Sequence, residues 1–155
     1  MQYNFIANAP VASTSGRTIP VIDPSDGQPF DALQRSNASD IDAAVKAARE
    51  CMNAVWGKLG AAGRGRLLMR LSSAVQDHAD ELALLEQRDC GKPTKQARAD
   101  VAALARYFEF YAGACDKFHG DTIPYLDGYS VLTWYEPHGV TGHIIPWNYP
   151  MQIFG

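Results

Sequence analysis

Apolar residues in the middle of the chain recur with helical spacing. From Thr94 onward, Ala97, Val101, Leu104, Phe108, Tyr111, Cys115 and Phe118 follow at steps of four and three, which places them on one face of a helix. The pattern predicts a helix capped by Thr94 and ended by Gly120. Upstream, Ile41, Val45, Ala48, Met52 and Val55 trace a first helix. It starts at Ser39, with Asp42 completing a capping-box-like pair, and stops at Trp56–Gly57. Leu67, Leu68, Leu71, Ala74 and Val75 mark a second helix over Arg64–His78. Leu82 and Leu85 mark a shorter third over Asp80–Arg88, which Gly91 and Pro93 terminate.

The two ends of the chain carry other patterns. Met1–Ser15 is small and polar without a period and reads as a loosely held arm. Ile19–Phe30 alternates short apolar pieces with Pro20, Pro24, Gly27 and Pro29, and P-S-D-G is a turn signal, so a hairpin is expected there. Tyr129–Glu136 is dominated by β-branched and aromatic residues, as in a strand. Val140, Ile144 and Ile145 form a short apolar run of the kind a buried strand uses. Pro146 stops it, having no N–H for a ladder.

Pro150 fixes the backbone again four positions later, so Trp147, Asn148 and Tyr149 lie on a short, stiff loop after a strand. Ligands in open α/β sheets bind just beyond the carboxyl ends of strands. A neutral amide there can donate to a developing oxyanion. An asparagine in this setting also serves as a plain turn residue, and the residues alone leave both readings open.

The segment E-P-H-G-V-T-G-H-I-I-P-W-N-Y-P, Glu136–Pro150, resembles the signature of the NAD(P)-dependent aldehyde dehydrogenase superfamily. The similarity continues through D-C-G-K-P at Asp89–Pro93, Y-A-G at Tyr111–Gly113, H-G-D-T-I-P at His119–Pro124 and V-I-D-P-S-D-G at Val21–Gly27. It implies an α/β fold of which this chain holds an incomplete, N-terminal, helix-rich part of a Rossmann-like cofactor-binding domain. Residues 1–128 would be the arm, hairpin and helices. Residues 129–137 would be a strand of an oligomerisation element. Residues 138–155 would be the first strand of the cofactor-binding sheet and the oxyanion loop.

The resemblance assigns Asn148 as the oxyanion donor. It places Ile144, Ile145, Pro146 and Trp147 along the cofactor cleft. It puts Tyr149 and Gln152 on the wall of the aldehyde tunnel and makes Asp100 and Tyr111 substrate-contact candidates. The cofactor, NAD or NADP, is implied by the resemblance alone, since no G-x-G-x-x-G occurs. A cysteine thiolate would attack the aldehyde, hydride would leave to the cofactor, and a glutamate-activated water would hydrolyse the thioester. The matching cysteine and glutamate lie C-terminal to this motif in family members, so the chain alone is expected to be inactive. A homodimer or homotetramer is expected of the intact protein. The alternative reading is a non-enzymatic helical module with a regulatory or oligomerising role.

Composition narrows the remaining classes. A length of 155 residues suits one domain, and 46% hydrophobic residues suffice for a core. A net charge of −3 gives no ground for nucleic acid or anionic membrane as a partner. No apolar run is long enough to span a bilayer, and the M-Q-Y-N-F-I start lacks signal-peptide character. Cys51, Cys90 and Cys115 are odd in number and show no C-x-x-C spacing, as expected of reduced thiols in a cytoplasmic protein. Cys115 reads as a small core residue on its helical stripe. His78, His119, His138 and His143 lack metal-ligand spacing, so no metal site is expected.

Overall fold

A computed structural model describes all residues 1–155. The chain opens with two antiparallel hairpins. The first pairs β1 (Asn4–Ile6) with β2 (Ala9–Val11), in the segment expected to be a loose arm. Its turn residues Ala7 and Asn8 both have positive φ, 52° and 63°. That is the geometry whose twist suits a two-residue hairpin. Alanine rarely marks such a turn, so the sequence carried no signal for it.

The second hairpin pairs β3 (Thr18–Ile22) with β4 (Pro29–Gln34), where the Ile19–Phe30 pattern placed one. Its turn is closed by the Asp23 carboxylate, which accepts from the Ser25 amide at 2.9 Å, and by Gly27, which donates its N–H to the Asp23 carbonyl. The hairpin is fastened to the helices through Arg88. Its Nε reaches Asp23 Oδ2 at 3.3 Å, and its guanidinium lies 4.4 Å from the centre of the Phe30 ring.

Helix α1 (Ala38–Asn53) is capped two residues earlier than expected. Asn37 accepts from the amides of Ser39 and Asp40, and Asp40 reaches back to the Asn37 amide. Asn37/Asp40 and Ser39/Asp42 have the same spacing. The earlier pair is used because Ser13 and Thr14 also donate to Asp40. A break at Ala54 separates α1 from the one-turn helix α2 (Val55–Lys58).

The core is built by α3 (Ala61–Asp77), α4 (Ala79–Cys90) and α5 (Thr94–Ala114). Val75 of α3, Ala83 of α4 and Ala97, Val101, Leu104 and Ala105 of α5 form its centre. Ser72 donates its hydroxyl to the Ala105 carbonyl at 2.8 Å, which satisfies it where no water reaches. Gly65 lets α3 meet α5 closely: a Cβ there would sit 2.6 Å from the Ala112 carbonyl oxygen. For this reason the buried line on α5 passes to Ala112, and the expected stripe ends early. Tyr111 and Phe118 are exposed, and the helix stops at Ala114, short of Gly120. Leu67, Leu71 and Leu85 are likewise exposed rather than inward. Thr94 is the first helical residue instead of the cap, and its hydroxyl bonds Gln87 Oε1 at 2.7 Å.

Beyond α5 the chain is extended and largely open. The strand expected over Tyr129–Glu136 shrinks to β6 (Val131–Leu132), paired with β5 (Thr122–Ile123). Pro124 follows β5 directly and has no N–H with which to lengthen the ladder. Val140–Ile145 forms no strand, because no other strand of this chain runs beside it. The chain ends in the short helix α6 (Pro150–Phe154), with Pro150 at its first position, where a missing N–H costs nothing. Only 13 of 155 residues are buried, so the interior amounts to the α3–α5 contact and little more. No helix is long and apolar enough to cross a membrane.

Candidate functional site

The turn between α4 and α5 is Cys90-Gly91-Lys92-Pro93. Gly91 closes α4 in the left-handed conformation, φ 68°, which costs glycine no steric penalty. A Cβ on it would also lie 2.7 Å from Pro24 of the first turn of the β3–β4 hairpin. The turn points the Lys92 side chain inward, between two carboxylates. Its Nζ donates to Glu86 Oε1 at 2.5 Å and to Asp100 Oδ2 at 2.6 Å. Both acids are sealed from solvent and Lys92 nearly so.

Asp100 gathers two further donors on its other oxygen, Gln96 Nε2 at 3.0 Å and Gln152 Nε2 at 2.6 Å. Burial works to raise the Asp100 pKa, but the donors from Lys92, Gln96 and Gln152 outweigh it and hold the carboxyl below its usual range. Burial pushes the Glu86 carboxyl up, with Lys92 only partly opposing, and its second oxygen has no partner. For Lys92 burial acts downward, but hydrogen bonds to Asp100 and Glu86 prevail and its pKa is raised. The ammonium is therefore a fixed positive charge at neutral pH. Removing one member of such a buried pair typically costs roughly 3–5 kcal/mol, because the other charge is left stranded.

This cluster reaches the loop that carries Asn148. The Lys92 ammonium lies 4.6 Å from the centre of the Tyr149 ring, a cation–π distance. The Cys90 thiol donates to the Trp147 carbonyl at 3.1 Å. Burial raises the Cys90 pKa against the pull of Lys92, which keeps it a neutral thiol and a donor. Trp147 and Asn148 form the turn, and the Asn148 side chain is exposed and takes no part in these bonds.

The residues expected to line a site are brought together only in part. Tyr149, Gln152 and Asp100 are joined through Lys92 at the junction of α4, α5 and α6, and Asn148 stands exposed beside Tyr149. Asp100 is fully buried, with both oxygens taken by Lys92, Gln96 and Gln152. The Gln152 amide is spent on Asp100. Tyr111 stands three turns further along α5, about 16 Å away by helix rise. Its ring packs edge-on against Phe110 and is 54% exposed. Ile144 and Trp147 are 100% and 81% exposed. Ile145 turns the other way, into an apolar groove of about 720 Å³ lined also by Phe30, Leu82, Leu104, Met151 and Phe154.

Lys92, Glu86 and Cys90 were not identified from the sequence as site residues. The available signal was a lysine held between glycine and proline, with Glu86 sharing the inward face of α4 with Ala83. Charges on helices normally read as solvated surface.

The family model for the aldehyde dehydrogenase family matches residues 11–155. The chain belongs to that family. It is 45% identical over 146 residues to aldehyde dehydrogenase family 2 member B4, mitochondrial, of Arabidopsis thaliana, covering 93% of this chain and 27% of that protein. It is 42% identical over 153 residues to human retinal dehydrogenase 2, covering 97% of this chain and 30% of the relative.

Among solved structures it superposes on a putative aldehyde dehydrogenase from Burkholderia cenocepacia with a TM-score of 0.96 and 63% identity, over 98% of this chain and 32% of that one. PnpE from Pseudomonas sp. WBC-3, solved in complex with nicotinamide adenine dinucleotide, matches with a TM-score of 0.93 at 36% identity, over 99% of this chain and 32% of that one. The fold is thus the mixed helix-and-strand, N-terminal part of the aldehyde dehydrogenase fold, and the chain spans a little under a third of the length of these relatives.

Proposed function

We propose that this chain is part of an enzyme that oxidises an aldehyde to a carboxylic acid with NAD or NADP, and that Asn148 donates a hydrogen bond to the oxyanion formed on the way. One observation carries the reading. Asn148 stands exposed at a tight turn whose neighbours on both sides are tied to the helices, while its own amide is uncommitted. A donor held still before charge develops acts in the transition state without reorganisation.

Ile144, Pro146 and Trp147 offer an exposed apolar run that fits one wall of a cofactor cleft. When bound, the nicotinamide supplies a hydride acceptor. The phosphates need donors that this run lacks, so the chain contributes a wall and not the whole cleft. Tyr149 supplies the tunnel-side surface, partly exposed beside Asn148. Asp100 and Gln152 brace the loop from behind.

We assign the nucleophile and the general base to residues outside these 155. Cys51 lies exposed on α1, Cys90 is a neutral thiol committed to Trp147, and Cys115 closes α5. The carboxylate nearest Cys90, that of Asp89 at 4.0 Å, leaves it a neutral thiol because burial raises its pKa, whereas a catalytic thiol needs an activating base or positive environment. A cytoplasmic homodimer or homotetramer is part of the same proposal. The test is the intact protein incubated with a panel of aldehydes and either cofactor, following cofactor absorbance and carboxylic acid formation. No acid with any aldehyde would overturn the reading.

A further inference from the structure

Asn148 is bracketed by contacts that all start from one turn. Cys90 holds the carbonyl of the residue before it. Lys92 lies against the ring of the residue after it. Through Asp100, Lys92 also holds Gln152 four residues on. The Asn148 amide makes none of these bonds, so its direction is set by its neighbours. Lys92 is almost sealed from solvent and cannot itself meet a substrate.

We propose that Lys92 is a positioning residue for the oxyanion donor: its ammonium, fixed between Glu86 and Asp100, locks Tyr149 and Gln152 and so aims the Asn148 amide. The proposal rests on the role given to Asn148 above. An ammonium clamped by two buried carboxylates has almost no freedom of its own, which makes it a rigid reference for a loop that lacks a ladder. Cys90 supplies the second point of the same clamp, from two residues away. A role confined to joining α4 and α5 would need neither the contact with Tyr149 nor the link to α6.

The experiment uses the intact protein with Lys92→Met, Lys92→Arg, Asn148→Ala and the Lys92→Met/Asn148→Ala double variant. A misplacement of about 1 Å at a reacting group can cost on the order of 10²-fold in rate, so Lys92→Met is expected to lower kcat by roughly 10- to 100-fold. Aldehyde KM and cofactor Kd should stay within about twofold, because Lys92 touches neither ligand, and Lys92→Arg should recover part of the loss, because it keeps a cation for Glu86, Asp100 and Tyr149. In the Asn148→Ala background, Lys92→Met should cost less than about twofold more, the signature of two residues acting as a unit. Unchanged kcat in Lys92→Met, or the full loss repeated without Asn148, would overturn the proposal.

Hydrogen exchange separates this from failure of the aldehyde reading, since it needs no turnover. In Lys92→Met the amides of residues 147–155 should exchange at least about tenfold faster, with α3 unchanged, because local opening sets such rates. If Lys92→Met does not fold, Gln152→Met is read the same way, as it cuts the Asp100 arm and leaves the buried charges paired. Unchanged exchange over 147–155 in the folded variant would overturn the proposal whether or not the protein oxidises aldehydes.

Discussion

The Ser13 hydroxyl donates to Asp40 Oδ2 at 2.6 Å, tying the segment after the first hairpin to the first turn of α1. Asp40 also accepts from the amides of Thr14 and Asn37. The Ser13 hydroxyl, then those two amides, draw the Asp40 carboxyl down from 3.8 to about 2. A carboxyl lowered on folding stabilises the fold above its unfolded pKa, and that contribution is lost as pH falls through the folded value. Asp40→Asn should therefore lower Tm by about 2–5 °C at neutral pH, the effect of weakening one helix cap. Thermal melts of both proteins at pH 6, 4 and 2 should show this gap closing between about pH 4 and pH 2. A gap constant down to pH 2 would show that the carboxylate charge is not what matters.

The cysteines should differ in reactivity. Cys51 is exposed, whereas Cys90 is half-buried and its pKa is raised. Because only the thiolate attacks, iodoacetamide at pH 7.5 should label Cys51 first and Cys90 slowly, with Cys90 gaining most as pH rises past 9. Mass spectrometry of timed samples reads this directly. In the intact protein, Cys51→Ala and Cys115→Ala should leave turnover within a few-fold. Loss of the burst of cofactor reduction in either would identify a nucleophile here.

The 155-residue chain on its own should self-associate. Ile144, Trp147, Trp134, Phe118 and Tyr135 are exposed around short or absent ladders. Unpaired backbone next to apolar side chains recruits other chains. Sedimentation at increasing concentration should show assemblies above the monomer. A monodisperse monomer with a cooperative melt would contradict this.

Asn148→Ala should lower kcat of the intact enzyme by roughly 10² to 10³, the usual cost of one oxyanion donor. Cofactor Kd should barely move. Asn148→Asp should be worse, since it sets an anion beside a developing anion. If Asn148 only shapes the turn, Tm falls instead while kcat per titrated site holds. Melting and active-site titration on the same preparation distinguish the two.

Sequence patterns identified what was local. Helical periods located α3, α4 and α5, and P-S-D-G located the second hairpin. The first hairpin was hidden because Ala7 adopts a conformation its side chain does not advertise. The cap of α1 slipped by two residues because the choice between two equal spacings is made by Ser13, distant in sequence. Val140–Ile145 and Tyr129–Glu136 have the residues of strands, but a strand exists only with a neighbour, which no single-segment pattern contains. In the site, the motif around Asn148 was readable. The Lys92 cluster was not, because a buried lysine differs from a surface one only in which residues the fold brings to it.

The Glu86–Lys92–Asp100 arrangement also restricts how the sequence can drift. With both acids sealed and Lys92 shared between them, losing Lys92 alone leaves two sealed carboxyls without a counter-charge, whereas losing either acid alone leaves Lys92 paired with the other. Position 92 is the constrained one: an apolar residue there requires neutral residues at both 86 and 100. Among homologues, loss of the lysine at position 92 should therefore be accompanied by loss of both acids at 86 and 100, while the exposed neighbours on the same helices vary independently.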